Sequence, residues 1–303
     1  MLKSTLLFLS RRKSLRNVME NSQVFSGLTK RFVAGKTLEQ ALRVAQRLNA
    51  EGILVSLDCL GEDVTSLEEA EHSCRSYLEA LEGLAGRGID ATVSIKLTQF
   101  GLGLSEDLCQ TNVTRLVEAA GRRGQAVEVD MESSEYTERT LRLVEGLHER
   151  HGRVRAVVQA YLYRTAEDVE RLCAKNVPVR LCKGAYRESA AVAYQGRGEV
   201  NASYRRLMRA LLVRGNYPGI ATHDEAMIRE ALRFAAENRI PPSRFEFQML
   251  YGIRRDLQRY LVAQGYRLRL YVPYGVAWYP YFMRRLAERP SNLLFLARNL
   301  LRR

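Results

Sequence analysis

Polar residues capable of acid, base or electrostatic chemistry stand where short apolar runs of this chain stop: Asp58, Lys96, Asp130, Gln159, Arg180, Lys183, His223, Gln248 and Tyr271. A fold that gathers them would make a ring holding both Lys and Asp, a combination expected at a functional site. The sharpest segment is Arg180-Leu-Cys-Lys-Gly-Ala-Tyr186. Arg180 and Lys183 cannot both enter a core unless each is paired or meets an anion, because isolated buried charge is prohibitively costly. Gly184 and Ala185 would let the backbone approach a ligand closely. On these residues alone, a Schiff-base lysine at Lys96 or Lys183 and a phosphate cradle both remain open. A second segment, Tyr271-Val-Pro-Tyr-Gly275, is followed by Trp278-Tyr-Pro-Tyr281-Phe-Met-Arg284-Arg285-Leu-Ala-Glu288. If a helix starts near Tyr279, then Tyr281, Arg284, Arg285 and Glu288 share one side. Adjacent arginines beside tyrosines suit a small carboxylate, since guanidinium grips it with two parallel bonds; the plainer alternative is a solvated basic helix face.

Other motifs exclude chemistry. His148 and His151 have no further Cys or His to complete a metal site, so no metal is expected. Gly101-Leu-Gly103-Leu-Ser-Glu106 begins like a dinucleotide fingerprint but lacks its third glycine. Cys59, Cys74, Cys109, Cys173 and Cys182 form no C-x-x-C, which fits small free thiols in a reduced cytosolic compartment.

The elements that must position the ring are eight apolar runs, each followed by a helix-like stretch: Ile53 to Leu57, Ala91 to Ile95, Ala126 to Val129, Ala156 to Val158, Val179 to Cys182, Gly219 to Thr222, Phe245 to Phe247 and Leu268 to Val272. Runs apolar throughout, without alternation, suit a parallel sheet covered on both faces. Eight such units close an α/β (β/α)8 TIM-type barrel, whose chemistry sits at the C-terminal strand ends. A doubly wound open sheet could use the same elements. A barrel needs about 250 residues, so residues 51–303 read as the catalytic barrel domain and residues 1–50 as a short N-terminal helical extension. The last helix of that extension opens at Thr37, a capping residue.

Against 34 Asp+Glu stand 47 Lys+Arg, a net charge of +13 and a pI near 9.7. The basic residues are scattered through helices without aromatic interleaving, which argues against a nucleic-acid platform. No run is long and apolar enough for a membrane span, and the charges of Arg11-Arg12-Lys13 follow the Leu6-Leu7-Phe8-Leu9 patch instead of preceding it, unlike a signal peptide. An amphipathic N-terminal helix touching anionic lipid and a transit peptide are the two readings of that patch.

Together the segments resemble the proline dehydrogenase family, specifically its monofunctional bacterial type. The matching pieces run in order from about Arg31: Leu57-Asp-Cys-Leu-Gly-Glu62, Val93-Ser-Ile-Lys96-Leu, Val129-Asp130-Met131-Glu132, Val158-Gln159-Ala-Tyr-Leu-Tyr-Arg164, Arg180 to Tyr186, Ala221-Thr222-His223-Asp224, Phe245-Glu-Phe-Gln-Met-Leu250-Tyr-Gly and Tyr271 through Arg285. The resemblance implies FAD-dependent oxidation of L-proline to 1-pyrroline-5-carboxylate, with electrons passed to a membrane quinone. It implies a cytoplasmic enzyme, peripheral on the inner face of the cell membrane. Matched position by position, it implies catalytic roles for Asp130 and Arg180, the latter near the flavin N5 region. Lys96, Arg284 and Arg285 would bind the proline carboxylate, and Ala185, Tyr186, Leu250, Tyr271 and Tyr281 would wall the ring. Met131, Gln159, Lys183, Gly184, Ala185, Thr222 and His223 would contact FAD, and Glu62 would pair with Arg284 when the site closes. The chain departs from the family pattern at Val276-Ala277, where bacterial relatives often resemble Gly-Arg-Asp and could brace the loop by an ion pair. It departs again at Arg187, where the long fused relatives look aromatic.

Overall fold

The computed structural model describes residues 31–61, 64–279 and 281–283. Eight parallel strands close into a barrel: β1 Leu54–Cys59, β2 Ala91–Ile95, β3 Val127–Val129, β4 Val154–Gln159, β5 Val179–Cys182, β6 Gly219–Ala221, β7 Glu246–Leu250 and β8 Leu268–Tyr274. Closure runs along all of β1, from Leu54 opposite Arg269 to Cys59 opposite Tyr274. Helix α1 (Leu38–Ala50) precedes β1, and one α-helix follows each of β1 to β7: α2 Leu67–Gly86, α3 Glu106–Arg122, α4 Thr137–His151, α5 Thr165–Ala174, α6 Arg197–Arg214, α7 Glu225–Glu237 and α8 Arg255–Ala263. The open sheet is thereby excluded.

Local sequence sets the helix starts. Thr37 and Gln40 cap α1 reciprocally, and the Ser66, Ser105 and Asp224 side chains accept backbone N–H groups at the starts of α2, α3 and α7. Each such cap stabilises its helix by about 1 kcal/mol. The apolar faces of these helices cover the outward side of the strands in one continuous core, to which α1 contributes Ala41, Leu42, Ala45 and Leu48.

One expectation needs correcting. The strands are buried on both faces, yet along five of them the inward side carries polar residues two apart: Ser56 and Asp58, Thr92 and Ser94, Glu128 and Asp130, Glu246 and Gln248, Arg269 and Tyr271. Successive strand residues point to opposite faces, so the apolar half packs under helices while the polar half fills the lumen. These strands alternate after all.

A second apolar cluster lies beside the C-terminal end of the barrel: Phe32, Val33, Leu60, Ile253, Trp278, Tyr279, Tyr281, Phe282 and Met283. It joins the segment before α1 to the residues after β8. Backbone bonds tie the same pieces, Ala34 N–H to the Pro273 carbonyl at 2.8 Å and Gly275 N–H to that of Gly35 at 2.9 Å. The turn after β8, with Val276 exposed, is thus braced by backbone from the N-terminal side. Gly252 is required at this seam: its φ is +77°, and a Cβ there would lie 1.8 Å from the Arg31 carbonyl oxygen.

Candidate active site

Arg180 is the centre of the site. It is the second residue of β5, not a strand-end residue, and its side chain crosses the lumen to β2 and β3. One terminal nitrogen, Nη1, donates to Asp130 Oδ1 at 2.6 Å and Ser94 Oγ at 3.1 Å, and Nη2 donates to Glu128 Oε2 at 2.6 Å. The guanidinium also lies 5.5 Å from the Tyr271 ring centroid. Burial alone would weaken its charge, but Glu128 and Asp130 outweigh that and raise its pKa above the ordinary guanidinium value. Its Nε–H is buried and has no hydrogen-bond partner among the described residues.

Asp130, just beyond β3, accepts from Tyr271 through its other oxygen at 2.8 Å. Beside this triad, Lys96 donates to Asp58 Oδ1 at 3.2 Å, with only 11% of the Lys96 side chain and 1% of the Asp58 side chain exposed. Burial raises the Asp58 pKa, Lys96 offsets this in part, and Asp130 adds to the rise. Tyr77 from α2 supports the pair, donating to the Ser94 carbonyl at 2.8 Å and lying 3.3 Å from Asp58.

The remaining mouth residues form a rim. Gln159 donates to the Glu132 carbonyl at 2.9 Å and accepts the Ala185 N–H at 3.1 Å, fixing the segment after β5. Lys183 is paired with Asp224 and Asn201, each at 2.7 Å, and burial of Asp224 is outweighed by Lys183, which lowers its pKa. The demand that Arg180 and Lys183 be paired is therefore met by protein carboxylates at both. Thr222 Oγ1 accepts the Asp224 N–H, and His223 Nε2 accepts that of Leu250 at 2.8 Å, tying β6 to β7. Met131 is buried beside Asp130, Tyr281 is buried in the second apolar cluster, and the half-buried Leu250 packs against that cluster and pairs in register with Tyr271. Gly184, Ala185 and Tyr186 are exposed. Gly184 has φ +130°, and a Cβ would meet the Tyr161 ring at 2.5 Å, so close packing on Tyr161 suffices to explain the glycine without a ligand. Glu62, Arg284 and Arg285 lie outside the described residues.

Gln248 is a correction: it does not reach the mouth. It belongs to a lower tier of the lumen, donating to Glu128 at 3.2 Å and Glu246 at 2.7 Å. There Arg155 donates to Glu246 at 2.5 Å and Glu128 at 3.3 Å, and Arg269 grips Glu246 with two bonds of 2.9 and 3.1 Å. Of this tier the sequence pointed to Gln248 alone; Glu128, Arg155, Glu246 and Arg269 went unmarked, together with Ser94 and Asn201 above them. The available signal was spacing, because Glu128, Ser94, Glu246 and Arg269 each stand two residues before a polar residue already singled out.

Comparison with known proteins decides among the chemistries such a mouth could run. The family model for proline dehydrogenase matches residues 41–298. The chain belongs to the proline dehydrogenase family. It is 41% identical to proline dehydrogenase 1 of Bacillus subtilis subsp. natto over the full length of both chains. It is 40% identical to the proline dehydrogenase of Deinococcus radiodurans, over 96% of this chain and 98% of the other. Among solved structures, proline utilization A from Bdellovibrio bacteriovorus, inactivated by N-propargylglycine, superposes with a TM-score of 0.80 at 26% identity. That match covers 86% of this chain and 32% of the longer one. The chain is accordingly an oxidoreductase of proline catabolism, and the Schiff-base lyase reading falls.

Proposed function

We propose that the chain oxidises L-proline to 1-pyrroline-5-carboxylate with FAD as resident cofactor and a membrane quinone as electron acceptor. The observation that carries this reading is the Arg180 Nε–H, buried and without a partner among the described residues although both terminal nitrogens of the guanidinium are engaged. An unsatisfied buried donor costs about 1–3 kcal/mol, so a fixed one beneath a barrel mouth fits a cofactor that brings an acceptor. FAD, when bound, supplies the acceptor for the hydride lost from the ring carbon beside nitrogen, while the nitrogen gives up a proton.

The chain's own residues hold and polarise. Arg180 would present positive charge where negative charge builds on reduction, and Asp130 with Tyr271 keeps it there. Gln159 presets the Ala185 backbone, and Met131, Lys183, Gly184, Thr222 and His223 would hold the rest of the cofactor. Lys96 and Arg180, the cations nearest the reacting region, are already paired with Asp58, Asp130 and Glu128. An anionic substrate carboxylate therefore calls for further cations, which Arg284 and Arg285 would provide alongside Lys96. Leu250, Tyr271, Tyr281, Tyr186 and Ala185 would wall the ring, and Glu62 would close on Arg284.

A quinone acceptor implies contact with a bilayer. No helix of the described residues is long and apolar enough to cross a membrane, so we assign the +13 charge to peripheral attachment at an anionic cytoplasmic surface. Sedimentation with anionic vesicles should fall with rising salt and be absent with neutral vesicles; equal, negligible binding to both contradicts the attachment. The function itself is tested by the purified protein's absorption spectrum. A flavin spectrum that bleaches on anaerobic addition of L-proline is expected, and a colourless protein that still oxidises proline overturns the FAD assignment.

A further inference from the structure

We infer that Glu128, in the lower tier of the lumen, is the positioning residue that aims Arg180 at the reacting groups. The inference rests on the reading of Arg180 given above and extends it to a residue that touches neither substrate nor cofactor.

Asp130 alone cannot fix the guanidinium. It sits on the mouth side, its side chain 15% exposed, and shares its carboxylate with Tyr271. A guanidinium held at one terminal nitrogen could pivot about that bond and carry its Nε–H with it. Glu128 supplies the second point. Its side chain is fully buried and takes the other terminal nitrogen at 2.6 Å. With Nη1 on Asp130 and Nη2 on Glu128, the plane of the guanidinium is set, and so is the direction of Nε–H, the one guanidinium nitrogen without a partner among the described residues.

Glu128 is itself immobilised by groups from other strands. Thr92 donates to its Oε1 at 2.5 Å, while Arg155 at 3.3 Å and Gln248 at 3.2 Å reach Oε2, the oxygen that holds Arg180. Arg155 and Arg269 are in turn held by Glu246. Burial would push Glu128 toward protonation, but Arg180, Arg155 and Arg269 hold its pKa down to about 2, so the anchor stays charged wherever the enzyme works. The lower tier thus passes rigidity upward: a closed network at the bottom of the barrel fixes one carboxylate, and that carboxylate fixes the arginine.

The test uses the full-length holoenzyme carrying Glu128→Gln, alone and combined with Arg180→Met. Anaerobic stopped-flow flavin reduction by L-proline should slow at least tenfold in Glu128→Gln, with the steady-state KM for proline changed less than twofold. In the Arg180→Met background the same change should add nothing, because a residue acting through Arg180 loses its effect when Arg180 is gone. A readout independent of turnover is the 15N-arginine spectrum, in which the Arg180 Nε–H signal, identified by its loss in Arg180→Met, should broaden or exchange faster in Glu128→Gln. If Glu128→Gln does not fold, Thr92→Val removes one anchor of Glu128 while keeping its own shape. It should slow flavin reduction about twofold to fivefold in the wild-type background and not at all with Arg180→Met. Effects of the two substitutions that multiply, or an unchanged reduction rate with an unchanged Nε–H signal, overturn the positioning role. A wild-type protein whose flavin L-proline does not reduce overturns the functional reading beneath it, a separate outcome.

Discussion

Two charged tiers share the lumen of this barrel, meeting at β3 and β8, where Glu128 and Arg269 lie below Asp130 and Tyr271, and they differ in closure. In the lower tier, Glu128, Arg155, Glu246, Arg269 and Gln248 bond one another and nearby carbonyls, and none of them leaves a buried side-chain polar atom unpartnered. In the upper tier, Arg180 Nε and Asp58 Oδ2 are buried without partners among the described residues, and burial raises the Asp58 pKa by more than Lys96 lowers it. A closed buried network rigidifies; one held short of closure keeps capacity for a ligand. The contrast separates the residues that hold the barrel together from those that do its chemistry.

The contrast breaks most visibly at Arg155. Arg155→Met leaves Glu128 and Glu246 with fewer buried partners and should destabilise the fold by about 3–5 kcal/mol, the scale for removing one partner of a buried ion pair. Urea unfolding measures it, and a loss below about 1 kcal/mol would mean the lower tier is not structural. Smaller, and confined to the upper region, is the effect of Arg284→Lys or Arg285→Lys. Each should raise the KM for proline by the worth of a charged hydrogen bond, about 1.5–3 kcal/mol, while FAD content stays full. An unchanged KM in both variants removes the carboxylate assignment.

Acid sharpens the distinction further, because the two tiers titrate with opposite sign. Glu128 has its pKa lowered from 4.5 to about 2, so its stabilisation is present above 4.5 and is lost as pH falls from there toward 2. Asp58 has its pKa raised above 3.8, so its contribution favours low pH and fades as pH rises through the raised value. Urea midpoints measured between pH 2 and 6 should therefore fall toward acid in the wild type. Asp58→Asn should leave the acid loss in place, whereas Glu128→Gln should lessen it, leaving the share that Glu246 contributes, its carboxyl held low by Arg269 and Arg155 against its burial.

Much of this was legible in the sequence. The eight runs locate the strands to within a few residues, and Lys96, Asp130, Gln159, Lys183 and His223 all stand at the mouth as their positions after those runs require. Thr37 opens α1 with the cap its side chain predicts. What could not be read is which charges meet. Arg180 finds Glu128 two strands away and Arg155 finds Glu246 three strands away, contacts set by the stagger of the closed barrel and not by proximity in sequence. Gln248 misled for the same reason, since its polar side chain suggests a strand end while register places it in the lower tier. Lys183 takes its partners from α6 and the cap of α7, elements whose approach to β5 no local pattern states.

The most direct test of the division between tiers is anaerobic stopped-flow reduction of the bound flavin by L-proline in Arg180→Met, against wild type at matched FAD occupancy. Loss of one preorganised charged donor should slow reduction by about 10²–10³-fold, with much less effect on proline affinity. A normal reduction rate with FAD fully bound would contradict the assignment of Arg180 to the chemistry and leave it, like Arg155, a part of the scaffold.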